Sequence, residues 1–139
     1  SPRVMSSATM VTLAQRLVRK LCSACKKEEV LTGKEKETVD KVLATIVDQT
    51  EIPTKRDSAF KPVGCPACNM TGYKGRLGIY EGIITTEEID KAIEFSTNEK
   101  DVAKIAAAQG ILTMTQDGVL KTLAGITTLD ELGRVIDLP

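Results

Sequence analysis

Apolar residues near the start of the chain recur with the spacing of a helix. Five of them fall on one helical face and the polar residues between them fall on the other; the apolar set is Leu13, Ala14, Leu17, Val18 and Leu21. An apolar face opposite a polar face is typical of an amphipathic helix that packs on a core. We therefore predict a helix over residues 10–21.

A second pattern indicates the clearest helix of the chain. Its apolar residues fall at positions i, i+3, i+4, i+7 and i+8, and they are Val39, Val42, Leu43, Ile46 and Val47. Thr32 and Glu35 precede them with the spacing of a capping box, in which each side chain bonds a free backbone N–H group at the helix start. Pro53 ends the pattern, because proline cannot continue a helix. The pattern predicts a helix over residues 34–49.

The rest of the pattern predicts one short strand and then a bundle of short helices. Leu77, Ile79 and Ile83 lie in a glycine-rich stretch and predict a strand or β-hairpin near 73–84. Four helices are predicted beyond it, and their capping residues are Thr85, Asn98, Thr113 or Thr115, and Thr127 or Thr128. Such short helices are marginal alone, so burial of their apolar faces must hold them together.

Two cysteine pairs lie on either side of the predicted helix 34–49. They are Cys22 with Cys25 and Cys65 with Cys68, and the chain has no other cysteine. Two residues between the cysteines of a pair let both sulfur atoms face one point, and four thiolates suit tetrahedral Zn²⁺. The absence of histidine favours a closed structural site over a catalytic zinc with an open position. Disulfides or free thiols, another metal, and a redox role remain as alternatives.

These patterns together predict a mainly α fold, with short helices around a tetracysteine zinc site and a short β-hairpin or strand near 73–84. We divide the chain into residues 1–21, a zinc-binding arm at 22–84 and a helical bundle at 85–139. With 42% hydrophobic but only 3% aromatic residues, the core should be aliphatic.

The charge pattern bears on the choice of partner. Nineteen basic and 19 acidic residues give a formal net charge of +0, so net charge gives no reason to expect nucleic acid or an anionic membrane. The stretch 16–27 is nevertheless basic and lacks acidic residues; its cations are Arg16, Arg19, Lys20, Lys26 and Lys27. We interpret them as balancing the negative charge of a zinc ion with four thiolates. The alternative is a stand-alone zinc-dependent nucleic-acid-binding module.

The sequence contains no recognisable catalytic constellation. Without histidine there is no Ser-His-Asp or Cys-His arrangement, and the phosphate-binding pattern G-x-x-x-x-G-K-[ST] is absent. We interpret the acidic pairs as solvent-exposed helix ends; they are Glu28-Glu29, Glu87-Glu88 and Asp130-Glu131. No apolar run reaches the roughly 18 residues of a membrane span. Cysteines used for metal favour a reducing compartment such as the cytoplasm.

The cysteine pairs are embedded in longer motifs. The first is Ala14-Gln15-Arg16-Leu17-Val18-Arg19-Lys20-Leu21-Cys22-x-x-Cys25, and the second is Gly64-Cys65-x-x-Cys68-Asn69-x-Thr71-Gly72-Tyr73-x-Gly75-Arg76-x-Gly78-Ile79-Tyr80-Glu81. The tail adds Gly110-Ile111-x-Thr113-Met114-x-x-Asp117-Gly118 and Gly125-Ile126-Thr127-Thr128-Leu129-x-Glu131-Leu132-x-Arg134-Val135. In this order the motifs resemble the C-terminal part of the secretion ATPase superfamily, the motor ATPases of type II secretion and type IV pilus assembly.

The resemblance implies that residues 1–21 end a RecA-like nucleotide-binding domain of a longer parent protein, which agrees with a chain that starts at Ser1. It implies a structural zinc ion on Cys22, Cys25, Cys65 and Cys68. For the parent it implies a cytoplasmic hexamer that uses ATP and Mg²⁺ and contacts neighbouring subunits and an inner-membrane platform protein. The parent would lie on the inner membrane through partners, without inserting into it. The family's phosphate-binding loop has no counterpart here, so we expect no catalysis by this chain itself.

Overall fold

The computed structural model describes the backbone of residues 10–85 and 112–139, and the side chains of residues 14–81 and 112–139. The elements are β1 (Met10–Leu21), β2 (Lys27–Val30), α1 (Gly33–Leu43), β3 (Ser58–Lys61), β4 (Tyr73–Thr85), α2 (Met114–Leu123) and α3 (Leu129–Val135). Short 3₁₀ turns lie at Gln49–Glu51 and Pro66–Cys68. The predicted helices that begin at Thr85 and Asn98 fall on residues 86–111 and lie outside the described residues.

The fold is mixed α/β, so the predicted mainly α class is wrong. In the described ranges β1 and β4 form one two-stranded sheet, and β2 and β3 form a second. Both pairs are antiparallel. The strand predicted near 73–84 is confirmed as β4. The fold class was wrong chiefly because the segment that precedes the first cysteine pair is extended.

The helix predicted over residues 10–21 is wrong, because these residues form strand β1. It pairs with β4 along its length, with Arg16 opposite Ile79 and Val18 opposite Leu77. A short apolar run fits a strand and a helix alike, and pairing with a neighbouring strand overrides local propensity. The exposure confirms a strand, since Val18 is 2% exposed and the adjacent Leu17 is 52% exposed.

Helix α1 is shorter than the predicted 34–49, because it ends at Leu43. Thr32 occupies the N-cap position, but its side chain makes no cap hydrogen bond, so the predicted capping box with Glu35 is wrong. Glu35 instead forms an ion pair with Lys61 of β3 at 2.7 Å. Ile46, past the helix end, is still buried, so the apolar pattern continues although the helix stops.

Of the alternative helix starts, Thr113 rather than Thr115 and Thr128 rather than Thr127 are the N-caps, so the two predicted helix starts are confirmed. The Thr113 hydroxyl accepts the N–H of Gln116 at 3.1 Å, and the Gln116 side-chain oxygen accepts the N–H of Thr113 at 2.8 Å. The Thr128 hydroxyl accepts the N–H of Glu131 at 3.1 Å. The starts of α2 and α3 are therefore fixed by side chains that bond free backbone N–H groups a few residues away in the sequence.

An aliphatic core joins α1, α2 and α3 to the sheets. Its buried residues are Val18, Leu31, Val39, Val42, Leu43, Ile46, Ala59, Ile79, Val119, Leu123 and Leu132. Helix α2 also lies along β4: Asp117 accepts the Tyr80 N–H at 2.9 Å, and Lys121 donates to the Gly78 carbonyl at 3.0 Å. Among the residues described here, no helix is long and apolar enough to cross a bilayer.

Candidate metal centre

The fold brings all four cysteines together. The sulfur atoms of Cys22, Cys25, Cys65 and Cys68 all lie within 4.8 Å of one another. The first pair follows β1, and the second pair lies in the turn between β3 and β4. Because β1 and β4 pair directly, the ends of these two strands carry the cysteine pairs to the same place.

The spacing of the sulfur atoms fits a tetrahedral ion. Three separations are 3.8 Å for Cys22 to Cys65, 3.9 Å for Cys25 to Cys68 and 3.7 Å for Cys65 to Cys68. Zinc–sulfur bonds of about 2.3 Å place the corners of a tetrahedron about 3.8 Å apart. A disulfide needs about 2.05 Å, and all four cysteines are free thiols. Four sulfur donors in this geometry suit zinc, or iron.

The four cysteine residues differ in exposure to solvent. Cys22 and Cys68 are 2% and 4% exposed, whereas Cys25 and Cys65 are half-buried. Four protein donors would complete a tetrahedral ion and leave no position for water or substrate, so the arrangement suits a structural site. An ion bound there would cross-link the two pairs. The assignment of these residues as metal ligands remains a prediction that the geometry supports.

Backbone N–H groups surround the sulfur atoms. Gly64 donates to the Cys25 sulfur at 3.4 Å, and Cys65 and Gly72 each donate to the Cys68 sulfur at 3.2 Å. The Gly72 carbonyl in turn accepts the Cys22 N–H at 2.9 Å. Gly72 therefore connects one cysteine of each pair.

Gly72 is a position where a side chain would not fit. Its φ is +84°, and an added Cβ would lie 2.4 Å from the Cβ of Pro62. The left-handed region is costly for other residues. The sequence therefore needs glycine here for the backbone of residue 72 to reach both Cys22 and Cys68.

The second pair contains one thiol that ionises easily and one that does not. Burial disfavours the Cys68 thiolate, but the N–H groups of Cys65 and Gly72 outweigh burial and lower the pKa of Cys68 to about 6. Burial, and then the hydrogen bond with Cys68, raise the pKa of Cys65 to about 11. The N–H groups around Cys68 thus favour its thiolate form, which is the form that binds a metal cation.

Among the described residues, the hydrogen bonds that reach the sulfur atoms from outside the cluster come from backbone N–H groups and not from the basic stretch 16–27. Charge balance by the cations of this stretch stays a prediction. Arg19 binds Glu131 at 2.6 Å, and Lys26 donates to the Gly125 carbonyl at 2.8 Å. Two of the cations are thus occupied within the fold, and the nucleic-acid-binding alternative receives no support from them.

Glu131 is the residue whose position the sequence analysis missed. We interpreted the pair Asp130-Glu131 as solvent-exposed, but Glu131 is 4% exposed and bonds to Arg19. Burial raises its pKa, yet the hydrogen bonds from Arg19 outweigh burial and hold the pKa of Glu131 below its ordinary value. The two residues are 112 positions apart, so no local pattern joins them. Of the other acidic pairs, Glu28-Glu29 lies exposed in strand β2, and Glu87-Glu88 is outside the described residues.

The fold and the four-cysteine cluster define a small α/β module with a candidate structural metal centre. A family model described as "Type II/IV secretion system protein" matches residues 1–134. The chain belongs to this family, which confirms the resemblance drawn from its motifs.

Relatives from several bacteria agree with this assignment. The chain is 35% identical to the type II secretion system protein HxcR of Pseudomonas aeruginosa, over 96% of this chain and 23% of the relative. It is 36% identical to the type II secretion system protein E of Pectobacterium carotovorum, over 96% of this chain and 24% of the relative. It is 37% identical to the type IV pilus assembly ATPase PilB of Thermus thermophilus, over 98% of this chain and 14% of the relative. The chain thus spans at most about a quarter of these proteins.

Proposed function

We propose that this chain is the C-terminal zinc-binding structural and interaction module of a motor ATPase that powers type II secretion or type IV pilus assembly. The observation that carries the proposal is a cluster of four cysteine sulfur atoms within 4.8 Å, in a chain of this family. The names of the relatives support a role in these two machines. Because the chain spans only part of them, the activity of the whole protein is part of the proposal.

Zinc would act as a cross-link in this module. Cys22, Cys25, Cys65 and Cys68 would hold it, and it would join the end of β1 to the turn before β4. The ion would offset the repulsion among four ionised thiolates and would thereby contribute folding free energy. Residues 1–21 would then end the RecA-like domain of the parent, with a zinc-binding arm at 22–84 and a C-terminal helical part at 85–139.

The parent protein would hydrolyse ATP with Mg²⁺ in domains outside this chain, and this chain would not be catalytic. It would pack on the RecA-like domain of the same protein and transmit nucleotide-driven motion to neighbouring subunits of a hexamer and to an inner-membrane platform protein. The assembly would lie in the cytoplasm, peripheral to the inner membrane, without nucleic acid as a partner.

The metal content of the purified, reduced chain tests the site. We expect one zinc per chain by elemental mass spectrometry, and loss of ordered structure in far-UV circular dichroism after chelation. An intact spectrum without metal would contradict a structural role for zinc. Iron in place of zinc would change the cofactor and keep the cross-link.

The role in the parent is tested by replacing the four cysteines with serine in the full-length protein. We expect secretion or pilus assembly in cells to fall to the level of a deletion strain. Normal secretion by this variant, at normal protein abundance, would contradict the proposed module.

A further inference from the structure

The turn between α2 and α3, residues 124–128, contacts the chain on both sides of the first cysteine pair. The Leu21 N–H donates to the Ile126 carbonyl at 2.8 Å, immediately before Cys22. The ammonium of Lys26, immediately after Cys25, donates to the Gly125 carbonyl at 2.8 Å. We call residues 124–128 the α2–α3 turn.

The same turn contacts the chain on both sides of the second pair. The Tyr73 hydroxyl, after Cys68, lies 2.9 Å from the Thr128 hydroxyl. The ring of Phe60, before Cys65, lies so close to Gly125 that a Cβ there would be 2.8 Å from a ring atom. One turn therefore touches all four chain segments that lead into and out of the cluster.

Glu131, which lies in α3 just after the α2–α3 turn, hydrogen-bonds to β1. Its carboxylate accepts the Arg19 backbone N–H at 3.0 Å and the Arg19 guanidinium at 3.0 and 2.6 Å. The Arg19 carbonyl accepts the Thr127 hydroxyl at 2.9 Å. The guanidinium also lies over the ring of Tyr73, 4.3 Å from its centroid. Glu131 thus holds both the backbone and the side chain of the residue three positions before Cys22.

We propose that Glu131 is a positioning residue for the metal centre, acting through Arg19, so that metal affinity depends on the docking of the α2–α3 turn. The proposal rests on the proposed zinc site. A metal ion that gathers ligands from two separate chain segments binds more tightly when those segments are already held in place. By linkage, metal binding must stabilise the docked turn by the same factor.

The test is the zinc affinity of the reduced chain, measured by competition with a chromogenic chelator. Loss of a partner that bonds a metal ligand directly typically weakens metal affinity about 10- to 100-fold. Because Glu131 acts through Arg19, we expect a weakening of about 10-fold in Glu131→Gln, at the lower end of this range. The matched control is Asp130→Asn, which makes the same chemical change at the adjacent, exposed position and should stay within about twofold of wild type. Cobalt(II) in place of zinc gives a second readout, because altered thiolate geometry shifts its visible absorption bands in Glu131→Gln.

The outcomes separate the two proposals. If wild type binds zinc and Glu131→Gln has the same zinc affinity and cobalt spectrum, the positioning role is overturned and the proposed site stands. No zinc in wild type would overturn both.

Hydrogen exchange on the wild-type chain needs no variant and covers the case in which Glu131→Gln does not fold. Partial chelation should accelerate exchange in residues 124–131 together with residues 22–25, and more than in helix α1 (Gly33–Leu43), which serves as the internal reference. Equal protection of residues 124–131 with and without zinc would overturn the coupling.

Discussion

The two sheets are both two-stranded, but they are stabilised in different ways. Strands β1 and β4 run for 12 and 13 residues, and Val18 and Ile79 on them are buried in the core. Strands β2 and β3 have four residues each, and all four positions of β2 are exposed. An isolated two-stranded ribbon is marginal in water. The first sheet is therefore stabilised chiefly by its length and by aliphatic packing. The second sheet places only Ala59 of β3 in the core, so we expect it to depend more on the cysteine cluster at its end.

The contrast predicts which changes damage which sheet. Removing a cysteine should weaken the β2–β3 sheet more than the β1–β4 sheet, and removing a core side chain should do the reverse.

Cys22→Ser should abolish stoichiometric zinc binding and lower thermal stability more than any other change considered. Structural zinc contributes roughly 10–16 kcal/mol of binding free energy in small zinc-binding peptides. A site with three thiolates in place of four would bind the ion more weakly. Elemental analysis and a thermal melt measure both effects. Ser23→Ala, at the adjacent exposed position, is the control and should match wild type. A zinc-loaded Cys22→Ser with an unchanged melt would refute the dependence on the cluster.

Ile79→Ala should destabilise the core by about 2–5 kcal/mol, the usual range for truncating a fully buried aliphatic residue. Ile79 is 0% exposed, whereas Val30 on β2 is 73% exposed, so Val30→Ala should change stability by about 0.5 kcal/mol or less. Denaturant unfolding in excess zinc gives both values. If the two substitutions were equally harmful, the contrast between the sheets would fail.

Gly72→Ala should cost more than Gly75→Ala, although both glycines have φ above +80°. Each change introduces a strained left-handed residue, at about 1–2 kcal/mol. Only the Cβ at position 72 would collide with Pro62, at 2.4 Å; the nearest atom at position 75 is 3.8 Å away. We expect about 1–3 kcal/mol more destabilisation at position 72 from overpacking, together with weaker zinc binding. Equal zinc affinities in the two variants would show that Gly72 does not position the sulfur atoms.

Acid should reveal a smaller contribution from Glu131. Because Arg19 lowers the pKa of Glu131 in the folded chain, its contribution to stability is present above the unfolded pKa of about 4.3. That contribution is lost as pH falls through the lower folded pKa. The stability difference between wild type and Glu131→Gln should therefore shrink below about pH 4.3, while Asp130→Asn follows wild type. Urea unfolding from pH 7 to pH 3 measures the free energy of unfolding of each protein. A difference between wild type and Glu131→Gln that stays constant over this range would show that Glu131 does not titrate in it.

The sequence predicted features whose chemistry is local. Thr113 and Thr128 were each one of two candidate caps in the sequence, because the N–H groups that they bond lie three residues away. The four cysteines were recognised as one set because the spacing within each pair restricts where their sulfur atoms can point.

Features that depend on distant pairing were not predictable in this way. β1 has an apolar pattern that also fits a helix, and only its pairing with β4 makes it a strand. The same holds for Glu131, whose acidic neighbourhood suggested a solvent-exposed helix end. Its burial depends on Arg19, which lies in β1.

The contacts of α2 with β4 have a consequence for self-association. A strand edge with free N–H and carbonyl groups can template the addition of a strand from another molecule, which is a common route to aggregation. Asp117 already bonds the Tyr80 N–H, and Lys121 already bonds the Gly78 carbonyl. An incoming strand would have to displace two charged side chains before it could pair at this point. The helix thus protects β4 from unwanted extension by another chain.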